Sequence, residues 1–267
     1  MNIPIGTQIG IWTVTQILSS ERHRCLAVVR IAGDFTTDWI MKITPSDDEY
    51  KFILKYNLQE AGIKLYPDAD LQAGTYMKHY TWFVMERYTT DCFRLDAEVF
   101  SVAPFVAAVM KFLKYLHQTH RMIHGDLKLG NILYKSGAYY VCDYELLREP
   151  ENSTICDESD YDSYYYWSYG AQYGKPVYSY RYDFEAVGYM LLEVANGHAT
   201  LPFQRRAHQC YEAKASGNHF PELEALKAQW EVPSRIGHYF ALIKGIEWAS
   251  LEPPSAAIYD EIAAMFA

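Results

Sequence analysis

The sequence predicts an α+β protein with a small N-terminal β-sheet lobe, residues 1–88, and a larger, mainly helical lobe, residues 89–267. Three observations support this class. β-Branched and aromatic runs dominate the first third of the chain, and helical periodicity replaces them after residue 91. The chain has 267 residues, of which 50% are hydrophobic, so it can bury a sizeable core in one large domain or in two lobes.

The N-terminal lobe is predicted to hold a small sheet and one helix. β-Branched and aromatic residues predict strands over residues 11–17, 25–31, 38–43 and 81–85. Helical spacing of Phe52, Ile53 and Tyr56 predicts a helix after Pro45. Ser46 followed three residues later by Glu49 matches a capping box, which places the start of that helix at residue 46.

The C-terminal lobe is predicted to be built around two long helices. Phe105, Val109, Phe112, Leu113 and Leu116 follow the spacing of an amphipathic helix, and Pro104 suits its first turn. Residues 183–195 are apolar nearly all round, which is typical of a helix buried on every side. Further helices are predicted over residues 222–230, 235–248 and 254–266.

Composition restricts the class of protein further. The formal charge of −9 argues against direct binding of nucleic acid. No apolar run reaches the roughly 18 residues of a membrane span, and residues 1–6 lack the pattern of a secretory signal. The five widely spaced cysteines fit a reducing compartment. We therefore expect an intracellular protein, cytoplasmic or nuclear, without a membrane partner, and we expect a monomer.

One segment carries residues suited to phosphoryl transfer. Residues 124–133 read His-Gly-Asp-Leu-Lys-Leu-Gly-Asn-Ile-Leu, and a short strand then leads to Asp143. Phosphoryl transfer needs a carboxylate that orients the attacking hydroxyl, a cation beside the transferred group and hard oxygen ligands for Mg²⁺. Asp126, Lys128, and Asn131 with Asp143 supply these groups in that order.

This segment resembles the catalytic loop of the protein kinase superfamily, whose pattern is His-Arg-Asp followed four residues later by Asn. The run from Trp39 to Lys42 is similar to the third-strand lysine motif of that family. The resemblance implies that Lys42 contacts the α- and β-phosphates of ATP and that a helix glutamate holds it. Glu49 is the better candidate for that glutamate, and Glu60 is the alternative.

A narrower resemblance is to the vaccinia-related kinases, a branch of the casein kinase 1 group. Met85-Glu86-Arg87-Tyr88 is similar to the hinge of that branch, and residues 180–189 with 201–203 to its central helix and the segment after it. The resemblance implies a bilobal kinase fold with Mg-ATP between the lobes. It implies Met85 as gatekeeper, Glu86 and Tyr88 as backbone contacts of adenine, Leu133 below the adenine and Asp183 as a brace of the catalytic loop. Compact size and divergent motifs suit a viral relative, acting in a host cell.

Three departures leave activity open. Residues 17–25, where kinases place glycines over the phosphates, contain no glycine. Asp143-Tyr144-Glu145 replaces Asp-Phe-Gly, so a carboxylate stands beside the metal ligand. Gly125 replaces the arginine that pairs with a phosphorylated activation loop in many kinases, which favours a constitutive enzyme.

These departures keep two rivals beside a Ser/Thr protein kinase. The first is a pseudokinase that binds partners without catalysis. The second is a phosphotransferase of the aminoglycoside-kinase type, because those enzymes also use a His-Gly-Asp loop.

A tyrosine cluster follows the candidate metal ligand. Nine of the 24 tyrosines fall between Tyr161 and Tyr182, in the position of a kinase activation segment. They either pack that segment onto the helical lobe, which we favour, or form a recognition surface or phosphorylation targets. The acidic residues Asp157, Glu158, Asp160 and Asp162 just before them predict a preference for basic protein substrates.

Overall fold

The computed structural model describes residues 1–20, 23–32, 36–77, 79–150, 179–197, 232–246, 248 and 252–267. Two compact units divide the chain, Met1–Thr89 and Thr90–Ala267, and each is described by itself. Within the described ranges, no helix is both long and apolar enough to cross a membrane. Two segments that the sequence singles out, residues 157–162 and most of the tyrosine cluster, lie outside the described residues.

The first unit contains an antiparallel sheet with one helix. Its strands are β1 (Gln8–Ile9), β2 (Trp12–Ser20), β3 (Cys25–Ile31), β4 (Trp39–Thr44), β5 (Ala73–Tyr76) and β6 (Tyr80–Glu86), in the order β1-β2-β3-β4-β6-β5. The four predicted strands are confirmed as β2, β3, β4 and β6. β5 was not predicted, because it is short and contains Gly74. A Cβ at Gly74 would lie only 2.7 Å from the ring of Trp82.

The capping box predicted at Ser46 is wrong. Helix α1 (Asp48–Lys55) begins later, and its N-cap residue Asp47 makes no side-chain capping bond. Ser46 Oγ instead accepts a hydrogen bond from the Asp48 N–H at 3.1 Å. Glu49 points inward and is buried together with Ile53 one helical turn later, so the glutamate is not available to close the box.

The second unit is mainly helical. The helices among its described residues are α2 (Val102–Lys114), continued by a π-helical turn (Tyr115–Thr119), α3 (Arg181–Ala195), α4 (Ser234–Gly245) and α5 (Ala256–Phe266). A small sheet contains β7 (Thr90–Asp91), β8 (Ile132–Lys135) and β9 (Ala138–Val141). The predicted helices at 105–116, 183–195, 235–248 and 254–266 are confirmed with shifted ends, whereas 222–230 lies outside the described residues.

Helix α3 is the centre of this unit. Twelve consecutive residues, Tyr182 to Glu193, are buried, which confirms the prediction from its all-round apolar pattern. Gly188 allows close contact with helix α4, since a Cβ there would lie 2.6 Å from the Phe240 ring. The absence of a side chain at residue 188 therefore sets the packing distance between α3 and α4.

We predict that Gly188→Ala destabilises the protein by about 1–3 kcal/mol, because the new methyl group overpacks a filled contact. Gly245→Ala is the matched control, since a Cβ at the end of α4 meets nothing within 4 Å. The control is expected to be neutral or stabilising by up to about 1 kcal/mol, because alanine favours helix. Urea unfolding of the two variants measures both effects, and equal midpoints would contradict the packing argument.

Candidate active site

Lys42 and Glu49 form a buried ion pair in the first unit. Lys42 lies on the central strand β4, between Leu26 of β3 and Phe83 of β6. Its Nζ is 2.6 Å from Glu49 Oε2, and the two side chains are 10% and 3% exposed. Glu60 lies elsewhere, and its carboxylate accepts a hydrogen bond from Asn57 at 3.1 Å. Of the two candidate glutamates, Glu49 is therefore the one that contacts Lys42.

The predicted hinge residues begin at the end of strand β6, which includes Met85 and Glu86. Met85 is buried and pairs with Ile40 of β4. The Glu86 N–H donates to the Lys64 carbonyl at 2.8 Å, so this donor is occupied within the unit. The hydroxyl of the buried Tyr88 accepts the Lys64 N–H at 2.9 Å. The backbone of Lys64, whose role the sequence did not predict, thus contacts residues 86 and 88 through one backbone and one side-chain hydrogen bond.

Asp126, Lys128 and Asn131 come together in the second unit. Lys128 Nζ lies 2.6 Å from Asp126 Oδ2, and Asn131 Nδ2 donates to the same oxygen at 2.9 Å. Asn131 Nδ2 also donates to the Asp126 backbone carbonyl at 2.9 Å. Lys128 and Asn131 both donate to Oδ2. Among the described residues, no side chain donates to Oδ1. The loop therefore presents one carboxylate oxygen beside a lysine cation.

The environment of Asp126 changes its proton affinity. Burial raises the pKa of Asp126, and the negative charge of Asp143 raises it further. The positive charge and hydrogen bond of Lys128 oppose both effects. The net pKa lies above the ordinary value of 3.8, so the carboxylate is a stronger base than a solvent-exposed aspartate.

Asn131 and Asp143 are positioned by β8 and β9. The Asn131 carbonyl accepts the Cys142 N–H at 2.9 Å and the Cys142 thiol at 3.2 Å. Cys142 is thus a half-buried hydrogen-bond donor. Leu133 is half-buried on β8 and pairs with Tyr140 of β9. Asp143, one residue after Cys142, adopts φ +64°, a left-handed conformation that aspartate tolerates better than most residues.

His124 connects the catalytic-loop segment to the end of β9. Its Nδ1 accepts the Asp126 N–H at 3.3 Å, and its Nε2 lies 3.1 Å from the Cys142 carbonyl. These two bonds assign a ring that is protonated at Nε2 and accepts at Nδ1. His124 therefore braces the loop through one contact to Asp126 and one to the end of β9.

Asp183 holds the loop from helix α3, as the resemblance implied. One oxygen of its fully buried carboxylate accepts the His124 N–H at 2.7 Å, and the other accepts the Gly125 N–H at 3.0 Å. His117 Nε2 adds a third bond at 2.9 Å. Burial alone would raise the pKa of Asp183, but the hydrogen bonds from the His117 ring and the His124 N–H, with the electrostatic attraction of both rings, outweigh burial and hold that pKa below its ordinary value.

The Tyr-Glu replacement after Asp143 is accommodated locally. Tyr144 is fully buried, stacks on Phe112 with centroids 5.8 Å apart, and contacts His124 edge-on. Its hydroxyl donates to the Val141 carbonyl, so the polar atom added relative to Phe is satisfied. Glu145 is not among the positive-φ residues, so this position does not require glycine. Carboxylate oxygens of Asp143 and Glu145 lie within 4.8 Å of each other, which confirms the expected negative charge beside Asp143.

Gly125 has a structural reason to replace arginine. Its φ is +77°, and a Cβ would lie 3.0 Å from the Leu146 carbonyl oxygen. Most L-residues would be strained here both by the backbone conformation and by this contact. The sequence alone gave no sign of this constraint, because it depends on the residues that follow Asp143.

Residues of the phosphate-covering segment are only partly described. β2 extends to Ser20 and β3 begins at Cys25, with register shifts between Val14 and Gln16 and between Ile17 and Ser19. Glu21 and Arg22 lie outside the described residues. The described part of this segment therefore contains a strand with two irregularities in its pairing.

Three comparisons agree with this geometry. The model of the protein kinase domain matches residues 70–259. The serine/threonine-protein kinase STE7 homolog of Candida albicans is 33% identical over 95 residues, which are 34% of this chain and 15% of that relative. A solved structure, the Cydia pomonella granulovirus kinase PK-1, superposes with a TM-score of 0.59 at 17% identity, covering 94% of this chain and 92% of that one.

The fold is therefore that of a protein kinase, with an N-terminal antiparallel sheet lobe and a helical C-terminal lobe, and the chain belongs to the protein kinase domain family. The viral structure shares the fold. The chain spans only 15% of the length of its curated Candida relative.

We predict that Lys128→Met raises the pKa of Asp126 further. Removing the cation disfavours the ionised carboxylate, so protons bind at higher pH. Carboxyl ¹³C NMR titration measures this pKa, with Asp126→Asn to assign the signal. Lys128→Arg keeps the charge and is expected to stay close to the wild-type value. The exposed Lys111→Met is the matched control, and an unchanged or lowered pKa in Lys128→Met would contradict the assignment.

Proposed function

We propose that this protein is a serine/threonine kinase that transfers the γ-phosphoryl group of Mg-ATP to protein hydroxyls. The observation that carries the proposal is the catalytic-loop cluster, in which Asp126 Oδ2 is held by both Lys128 and Asn131. A kinase needs its hydroxyl-orienting carboxylate and its phosphate-neutralising cation within one rigid loop. The named activity of the Candida relative supports serine and threonine as acceptors.

The roles of the loop residues follow from their contacts. Asp126 would accept the hydrogen bond of the substrate hydroxyl through the oxygen that Lys128 and Asn131 do not use, and take its proton. The raised pKa of Asp126 favours that transfer. Lys128 lies beside the carboxylate and would neutralise charge on the transferred group.

The donor set fits a magnesium ion. Asn131 Nδ2 donates to Asp126, so the amide oxygen of Asn131 would be the atom that binds the ion. Asp143 would add a carboxylate oxygen. Oxygen donors of these two types suit Mg²⁺. When bound, Mg-ATP would supply the phosphoryl group and screen the charge that develops during its transfer.

The first unit would bind the rest of the nucleotide. Lys42, held by Glu49, would contact the α- and β-phosphates through its ammonium group. Met85 would be the gatekeeper. Glu86 and Tyr88 would contact adenine through backbone atoms, because the Tyr88 side chain is committed to Lys64. Leu133 of the second unit would pack against the base.

Three finer assignments complete the proposal. The hinge residues 85–88 and the central-helix residues 180–189 support a place near the vaccinia-related branch of the casein kinase 1 group. The viral origin of PK-1 supports a viral relative that acts inside a host cell, in its cytoplasm or nucleus. The acidic residues 157–162 favour basic protein substrates.

The test is transfer of label from γ-labelled Mg-ATP to casein and to a basic protein, followed by phosphoamino-acid analysis. We expect label on serine and threonine and a loss of at least about 100-fold in Asp126→Asn, because the base is removed. Asp96→Asn is the matched control, since Asp96 is exposed in the same unit and its turn contact survives in asparagine.

Other results would overturn the proposal in distinct ways. A folded wild-type protein that transfers no label would be a pseudokinase. Label on an aminoglycoside offered in parallel, with none on protein, would indicate the small-molecule rival. Equal labelling by wild type and Asp126→Asn would show that the loop carboxylate has another role.

A further inference from the structure

The π-helical turn at Tyr115–Thr119 places a histidine in the core. Helix α2 widens there, and His117 becomes fully buried. π-Turns within helices are rare and often occur at functional sites. The burial of His117 could not be predicted from the sequence, because residue spacing does not reveal this local change in helical pitch.

His117 links two elements that are distant in the chain. Its Nε2 lies 2.9 Å from Asp183 Oδ2, and its Nδ1 lies 2.8 Å from the hydroxyl of Tyr259 on helix α5. The ionised Asp183 carboxylate can only accept, so Nε2 carries a proton. In the neutral ring Nδ1 then accepts the Tyr259 O–H, which burial keeps protonated by raising the pKa of that phenol.

The same Asp183 oxygen that meets His117 also accepts the His124 N–H. A continuous hydrogen-bonded chain therefore runs from Tyr259 through His117 and Asp183 to the catalytic loop. The three side chains that form this hydrogen-bonded series are buried, with Tyr259 1% exposed and Asp183 1% exposed. In such surroundings a missing partner is costly, so the members constrain one another.

Helix α5 is also fixed to the end of α2 by polar contacts at the surface. Lys114 Nζ lies 2.6 Å from Asp260, and Gln118 Nε2 donates to the Pro254 carbonyl at 2.8 Å. Arg121 pairs with Glu252. These contacts hold Tyr259 beside His117. The C-terminal segment is therefore linked to the loop through His117 and Asp183.

We propose that Tyr259 is a positioning residue for phosphoryl transfer, acting through His117 and Asp183 on the backbone of His124 and Gly125. The inference rests on the proposed kinase function and adds the C-terminal helix to the parts that set the loop geometry. Tyr259 touches neither Asp126 nor Lys128 in the structure, so its effect is on the alignment of the loop.

Tyr259→Phe tests this inference with two readouts. We expect kcat to fall roughly 2- to 30-fold, the range for residues that act through a network, while KM for ATP stays unchanged. We expect ¹H–¹⁵N NMR to show shifts beyond the line width in the His117 Nε2–H signal and in the amides of His124 and Gly125. A residue that only fills the core would not move those signals.

Tyr139→Phe is the matched control. Tyr139 is equally buried, at 5% exposure, and its hydroxyl accepts the Ser101 N–H at 2.8 Å, away from His117. An equal fall in kcat for Tyr139→Phe, or unmoved loop amides in Tyr259→Phe, would overturn the inference. If the wild type transfers no phosphoryl group, the kinase proposal fails, and the amide shifts still decide whether Tyr259 positions the loop.

Discussion

One buried carboxylate supports the candidate active site. Asp183, on the central helix of the second unit, accepts three hydrogen bonds in a setting with almost no solvent. Burying an ion is unfavourable unless hydrogen bonds replace its hydration, and removing a partner from such a group costs about 3–5 kcal/mol. The loop backbone at His124 and Gly125 is thereby held in a single arrangement. The helix α3 itself is fixed by close packing, which makes the support rigid.

The geometry of the candidate site depends on that support. The His124 ring accepts the Asp126 N–H and contacts the Cys142 carbonyl at the end of β9. Tyr144 packs against the same ring. Asp126 then lies beside Lys128, and both Lys128 and Asn131 donate to its Oδ2. The departures from the usual kinase pattern fit this arrangement. Gly125 adopts a conformation that disfavours arginine, and position 145 has no need of glycine. Both replacements are therefore compatible with an intact loop.

Much of the fold could be predicted from the sequence, because β-branched runs and helical periodicity are local signals. The motif order also predicted which residues meet at the loop. The resemblance implied that a helix glutamate holds Lys42, and the position of Glu49 at the helix start favoured it over Glu60. Other features depend on contacts between distant residues and leave no local signal. Strand β5, the π-turn that buries His117 and the partner of that histidine on helix α5 are of this kind. The predicted capping box at Ser46 is wrong because the Glu49 carboxylate pairs with Lys42 instead.

Amide hydrogen exchange in Asp183→Asn tests the central claim most directly. Asparagine keeps the shape of the side chain but removes the negative charge of the group that accepts hydrogen bonds from the two loop amides. A hydrogen bond to a charged group contributes about 1.5–3 kcal/mol to stability. We predict that the amides of His124 and Gly125 exchange roughly 10- to 100-fold faster in the variant. The neighbouring Ile123 N–H, bonded to the Arg148 carbonyl at 2.8 Å, is expected to keep its protection. Unchanged exchange at His124 and Gly125 would contradict the account, because the loop would then be held by something other than Asp183.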